Sequence, residues 1–151
     1  MKPDYISPDG RIKLYNVDCM EYMKQCKENE FDLAVVDPPY GIGMSGGNVG
    51  YKGDNNLERK EWDNKIPPDE YFYNLRLSSI NQIVWGGNYF KYLWPTRCYI
   101  VWDKGAGFKG RTFAESELAF TSMDKNAKTF SYDPQSIDLF FEEIFCLWAT
   151  K

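Results

Sequence analysis

The stretch "LAVVDPPYGIG" (33–43) constrains this chain more than any other. Together with the two residues before it, the near-continuous apolar run "FDLAVV" is the pattern of a strand covered on both faces, and it stops at Asp37, Pro38 and Pro39. Proline lacks an N–H and fixes φ, and a residue before proline is driven to extended geometry. The three residues therefore leave the strand as a rigid, outward-pointing segment that cannot turn back into a helix. In open α/β sheets ligands bind beyond the carboxyl ends of strands, so position alone makes this turn a candidate site.

The flanking segments supply a sheet around it. "RIKLYNV" (11–17) alternates apolar and polar residues as a short strand does. In "DCMEYMKQCKENE", Asp18 and Glu21 have capping-box spacing, and Met20, Met23 and Cys26 line one helical face. Residues 41–54, within "GIGMSGGNVGYKGDN", form a glycine-rich loop far longer than the usual ~4–6 residues, as substrate-closing loops are. A phosphate-loop reading of "GMSGGNVG" is rejected, because the Lys-Ser/Thr ending and the strand-to-helix context are missing. "IPPDEYFYNLRLSSI" has early prolines, an acidic first turn and apolar Phe72, Leu75 and Ile80, which together predict a helix. "NQIVWGGNYF" predicts a second buried strand, and "CYIVWDK" (98–104) and "SELAFTS" (116–122) two more. In "DPQSIDLFFEEIFCLWATK", Asp133 caps a final helix with Pro134 at its first position. Its apolar stripe of Ile137, Phe140, Phe141, Ile144 and Trp148 needs a partner. This order predicts an α/β layer fold whose first strands are parallel, in one domain of 151 residues.

Composition removes several chemistries. The chain has no histidine, and its four cysteines (Cys19, Cys26, Cys98, Cys146) show no C-x-x-C pairing, so neither a zinc site nor a Cys/His nucleophile pair is expected. No metal is predicted. A net charge of −4 argues against attachment to nucleic acid by bulk electrostatics. A local basic patch remains in "WDKGAGFKGRTF", where Lys104, Lys109 and Arg111 are either DNA-binding residues or simply a solvated loop. There is no apolar signal core and no run of about 18 apolar residues, which predicts a cytoplasmic protein with reduced thiols and no membrane partner.

Chemically, the turn offers two acceptors side by side, the Asp37 carboxylate and the Pro38 carbonyl, with the flat ring of Tyr40 beside them. That pair suits a planar NH₂ group. An amine on a nucleobase is a poor nucleophile because its lone pair is delocalised into the ring. Two acceptors gripping its hydrogens, with an aromatic face holding the base, help that lone pair localise and point at an electrophile. With a methyl sulfonium as the electrophile, direct transfer suffices, and a proton leaves through Asp37 or water. The competing reading is a purely structural turn. At about 5% usage per residue type, a given four-residue word arises by chance in roughly one such chain per thousand.

"VVDPPYGIG" resembles the catalytic motif of the DNA amino-methyltransferases, S-adenosylmethionine-dependent enzymes that methylate exocyclic amines of DNA bases. "LYNVDCMEYM" before it, and "QIVWGGNYF", "YIVWDK" and "ELAFTS" after it, are similar to that family's run of strands. An aspartate opening the motif implies adenine N6, where a serine is more typical of cytosine N4. The resemblance implies that Asp37 and Pro38 bind the target amine, that Tyr40 stacks on a flipped adenine, and that Asp18 and Asp37 contact S-adenosylmethionine. Flipping is required because the amine is otherwise held in the base pair. Asp18 is explained equally well by helix capping alone. Gly86, Gly87 and Asn88 either allow close backbone approach to a ligand or mark a turn.

The resemblance also implies an incomplete domain over 1–151: a partial Rossmann-like methyltransferase sheet with flanking helices, lacking the usual first cofactor-binding strands. Family members with this motif order continue past such a final helix into a strand and a glycine-bearing turn that cradles the cofactor, whereas this sequence stops at "FCLWATK". The expectation is weak or no cofactor binding by this chain alone, as a fragment first of all, or else as a degenerate protein or one completed by a second chain or a homo-oligomer through the final helix. Two other readings stay open, an RNA base-amine methyltransferase and a non-catalytic, DNA-associating remnant.

Overall fold

The computed structural model describes residues 1–43, 61–110 and 114–132. The first elements stand apart from the rest. β1 (Tyr5–Ile6) and β2 (Lys13–Leu14) pair antiparallel as a small ribbon, closed by a turn in which Gly10 donates to the Ser7 carbonyl at 2.8 Å. The strand expected over 11–17 is thus only two residues long and lies outside the main sheet. Its apolar positions, Ile12 and Leu14, are exposed, so no burial extends the pairing.

α1 (Cys19–Met23) follows, with Asp18 at its N-cap as predicted. One carboxylate oxygen of Asp18 accepts from the Met20 N–H at 2.7 Å and from the Glu21 N–H at 3.4 Å. Met20 and Met23 turn towards the core. The helix ends before Cys26, whose thiol instead points at the Tyr22 carbonyl.

The main sheet contains β3 (Phe31–Val36), β4 (Ser79–Trp85), β5 (Tyr99–Asp103), β6 (Ser116–Thr121) and β7 (Lys128–Ser131) in the order β3-β4-β6-β5-β7. β3 and β4 are parallel, as the sequence predicts, with α2 (Asp69–Ser78) between them in the chain. β6 runs antiparallel to both β4 and β5, and β7 joins β5 in parallel. The result is a mixed α/β fold with few helices among the described residues, compatible with a partial methyltransferase-like sheet. β7, from "KTFS", has no counterpart in the sequence reading. It is too short and too polar for periodicity to mark, with only Phe130 buried.

The pleat divides the core. Tyr71, Phe72 and Leu75 of α2 pack with Val84, Phe90 and Phe120 on one face of the sheet. Ile83, Trp85, Ile100, Ala119 and Phe130 cluster on the other. Removing side chains such as Phe72 and Phe120 from water contributes roughly 1.5–3 kcal/mol each, which fixes α2 over the centre of the sheet.

Two expectations are corrected. β3 is not covered along the whole of both faces: Ala34 and Val36 face the α2 side, while on the other face Leu33 packs against the core but Val35 is 48% exposed. Ile80 is not part of the helix, which ends at Ser78. It sits in β4, exposed to solvent, because the chain turns extended at Ser79. The final helix predicted over 133–151, with its stripe of Ile137, Phe140, Phe141, Ile144 and Trp148, and the loop beyond residue 43 lie outside the described residues. Among the described residues no helix is long and apolar enough to cross a membrane.

Candidate active site

The turn after β3 opens onto a cavity of about 610 Å³, within the size range of small-molecule sites. Asp37, Pro38, Pro39 and Tyr40 form one wall; Gly86, Asn88 and Tyr89, after β4, form a second; Lys104, Glu117 and Leu118 form a third. Parallel pairing of β3 with β4 delivers the first two walls to the same edge of the sheet. The antiparallel return of β6 beside β4 brings the third.

Asp37 is exposed and Pro38 buried. The Tyr40 hydroxyl donates to Asp37 Oδ1 at 2.6 Å, a contact three residues apart that the extended prolines make possible. Asp37 Oδ1 is thus committed to Tyr40, while no hydrogen bond among the described residues engages Oδ2. No described residue donates to the Pro38 carbonyl. Asp37 and Pro38 both line the cavity, with one carboxylate oxygen oriented by Tyr40.

The Tyr40 ring is itself held. It stacks on Tyr89 with centroids 4.9 Å apart and planes 12° from parallel, and meets Phe90 edge-on. Gly86, in left-handed geometry at φ 68°, lies directly against it: a Cβ there would overlap three ring carbons of Tyr40. The neighbouring Gly87 is packed against Phe120, where a Cβ would come within 2.8 Å of the backbone nitrogen. The close approach that these glycines permit is thus to the protein's own aromatic side chains, and Gly86 also opens the short 3₁₀ turn at Gly87–Tyr89.

Asp63, unmarked in the sequence, secures the turn from below. Its buried Oδ1 accepts from the Tyr40 N–H at 2.7 Å and from the Gly41 N–H at 3.0 Å. No local pattern reveals this residue, because its partners lie more than 20 positions earlier in the chain. Asp63→Ala is expected to destabilise the protein by about 1–3 kcal/mol, since it strands two donors, whereas Asp63→Asn keeps an acceptor and loses less. Urea denaturation of the two variants, compared by midpoint at constant slope, checks the order.

Burial, and then the hydrogen bond to Asp37, push the Tyr40 phenol well above the ordinary value of 10.0. Tyr71 is raised as well, chiefly by burial. Both groups bind their protons more tightly folded than unfolded, so their contribution is fully present below about pH 10 and is lost as pH rises through the higher folded values. An absorbance titration should show that part of the 11 tyrosines ionises only together with loss of the far-ultraviolet circular dichroism. Ionisation of all of them near pH 10 in a protein that remains folded would contradict this.

The remaining predicted residues fall in different places. Asp18 caps α1 and does not line the cavity; its neighbours Val17 and Cys19 border a separate, mainly apolar pocket of about 340 Å³ beside β3, which Val36 also lines. Lys104 does not join an outward basic patch. Its ammonium lies 2.5 Å from Glu117, and over the rings of Trp102 and Phe108 at 5.5 and 5.6 Å. Lys109 is exposed in the following loop, and Arg111 lies outside the described residues. Glu117 was missed by the sequence reading, although its register opposite Trp102 on β5 brings it close to Lys104.

No protein-family model matches the chain. It is similar to the Type II methyltransferase M1.MboII of Moraxella bovis, 23% identical over 144 residues, covering 80% of this chain and 49% of that protein. It is also similar to the Type II methyltransferase M2.MboI of Moraxella bovis, 27% identical over 82 residues, covering 54% of this chain and 30% of that protein. The chain thus spans about half the length of the first relative and less of the second.

Proposed function

We propose that the cavity receives a nucleobase amine and that the chain carries the amine-binding part of an S-adenosylmethionine-dependent methyltransferase acting on adenine N6 of DNA. The observation that carries this reading is the pair of acceptors at the end of β3, Asp37 and the Pro38 carbonyl, standing at a cavity with aromatic walls. Similarity to two Type II methyltransferases supports methyl transfer as the reaction.

The acceptors take the two hydrogens of the amine, Asp37 through Oδ2 because Oδ1 already holds the Tyr40 hydroxyl. Gripped in this way, the nitrogen is drawn out of conjugation and its lone pair is aimed away from the turn. The base lies against the Tyr40–Tyr89 aromatic wall, where stacking replaces the neighbours it leaves in the duplex. After transfer the nitrogen loses one proton, which Asp37 Oδ2 accepts and returns to water.

S-adenosylmethionine, when bound, supplies an electrophilic methyl group on a sulfonium. The residues present fit one side of it: Asp37 offers negative charge where the methyl must meet the amine, and the apolar pocket beside β3 has room for a flat, apolar group next to Val36. Asp18, between the pocket-lining Val17 and Cys19, commits only Oδ1 to the helix cap. On the DNA side, exposed Lys109, with Arg111, is proposed to contact phosphate.

Incubation of the chain with labelled S-adenosylmethionine and unmethylated DNA of mixed sequence tests the reading. Label recovered as N6-methyladenine supports it. Label in structured RNA but not DNA transfers the reading to RNA, and label in neither, at a concentration at which the protein is shown to bind S-adenosylmethionine, overturns it.

A further inference from the structure

The third wall of the cavity holds an ion pair that amine capture does not use. Lys104 and Glu117 are far from typical surface charges: the Lys104 side chain is 13% exposed and that of Glu117 31%. Trp102 and Phe108 present their rings to the same ammonium. A lysine left to itself is a flexible point charge with about 2 kcal/mol of rotamer entropy; one carboxylate and two rings remove that freedom in advance. The backbone fixes both ends, because β5 and β6 pair Asp103 with Ser116 and Trp102 with Glu117, and the Lys104 N–H donates to the Glu115 carbonyl at 3.0 Å.

An ammonium has three donor directions, and Glu117 takes one. In adenine and in cytosine the carbon carrying the NH₂ is bonded to a ring nitrogen, N1 or N3, that is an acceptor. In a keto base, the matching ring position beside the carbonyl is an N–H donor. A site with acceptors for the NH₂ and a cationic donor for the adjacent nitrogen therefore recognises the amino pattern and repels the keto one.

We propose that Lys104 is a specificity-determining residue that donates to the ring nitrogen beside the target amine, and that Glu117 is the positioning residue that holds it there. The proposal rests on the base-amine reading of the cavity. Asp37 and Pro38 read the donor half of the base edge, and Lys104 reads the acceptor half. Lys104 is thereby separated from Lys109: a phosphate contact weakens binding to all sequences alike and lowers its salt dependence, whereas a base-edge contact changes the ranking of bases.

The test uses the chain with DNA in which the target adenine is replaced by 1-deazaadenine or by 7-deazaadenine, each lacking one ring nitrogen but keeping the amine. Equilibrium binding is measured alongside labelled methyl transfer. The wild-type protein should lose about tenfold or more on 1-deazaadenine and little on 7-deazaadenine, and a loss confined to 7-deazaadenine overturns the amino-against-keto role of Lys104. Lys104→Met combined with Glu117→Gln leaves no unpaired carboxylate in the wall, and this double variant should treat adenine and both analogues alike. Lys104→Arg should restore part of the discrimination. Equal use of adenine and both analogues by the wild-type protein overturns the role of Lys104 while leaving the methyltransferase reading intact. Discrimination that survives in the double variant does so too. Discrimination in binding with no transfer to any DNA supports the base-edge contact and overturns the methyltransferase reading alone. Absence of both binding and transfer overturns both.

Discussion

Gly86→Ala should destabilise the protein by about 2–5 kcal/mol and disable the cavity at the same time. Two independent penalties meet at this position. The backbone sits at φ 68°, which costs a side-chain-bearing residue about 1–2 kcal/mol, and the added Cβ would occupy space already filled by the Tyr40 ring. Relief requires the ring to move, which breaks its stack on Tyr89 and its hydroxyl contact with Asp37. Gly10→Ala is the control. Gly10 has a similar φ of 72° with nothing within 4 Å of a new Cβ, so only the conformational term of about 1 kcal/mol should appear. Urea midpoints of the two variants separate the terms. Equal losses in both would show that the Tyr40 ring is not held against Gly86.

Asp37→Ala should lower methyl transfer by about 10²–10³-fold while leaving the protein folded. Asp37 is exposed and its loss frees one phenol hydrogen bond, a stability change of about 1 kcal/mol. Asp37→Asn should be nearly as damaging, because an amide that keeps its oxygen on Tyr40 turns an NH₂ group towards the incoming amine. Tyr40→Phe keeps the stack on Tyr89 and removes only the donor that orients Asp37, and a loss of about tenfold is expected. Single-turnover rates at saturating DNA separate a chemical defect from a binding defect. An Asp37→Ala variant as active as the wild-type protein would remove the acceptor pair from the mechanism.

Much of the fold was legible locally. The apolar runs of β3 and β4, the acidic start and apolar face of α2, and the Asp18 cap each follow from the composition of a few adjacent residues. Errors came where a segment's fate depends on what lies across from it. Val35 belongs to an apolar run yet remains exposed on the face of β3 away from α2. Ile80 continues the apolar pattern of the helix yet sits in a strand, and the polar "KTFS" pairs only because β5 offers it an edge.

The same division runs through the candidate site. The sequence by itself determined Asp37, Pro38 and Tyr40, because two prolines after an apolar run leave the backbone a single extended exit and put chemical groups at a strand end. Only the tertiary structure decided what surrounds them. The parallel pairing of β3 with β4 brought Gly86 and Tyr89 against Tyr40, and Asp63 reached its partners across more than 20 residues. The antiparallel register of β5 with β6 turned Lys104 from its basic neighbours towards Glu117. Chain stiffness is a property of adjacent residues and can be read along the sequence; contact between distant residues is set by strand order and register, which local sequence does not encode.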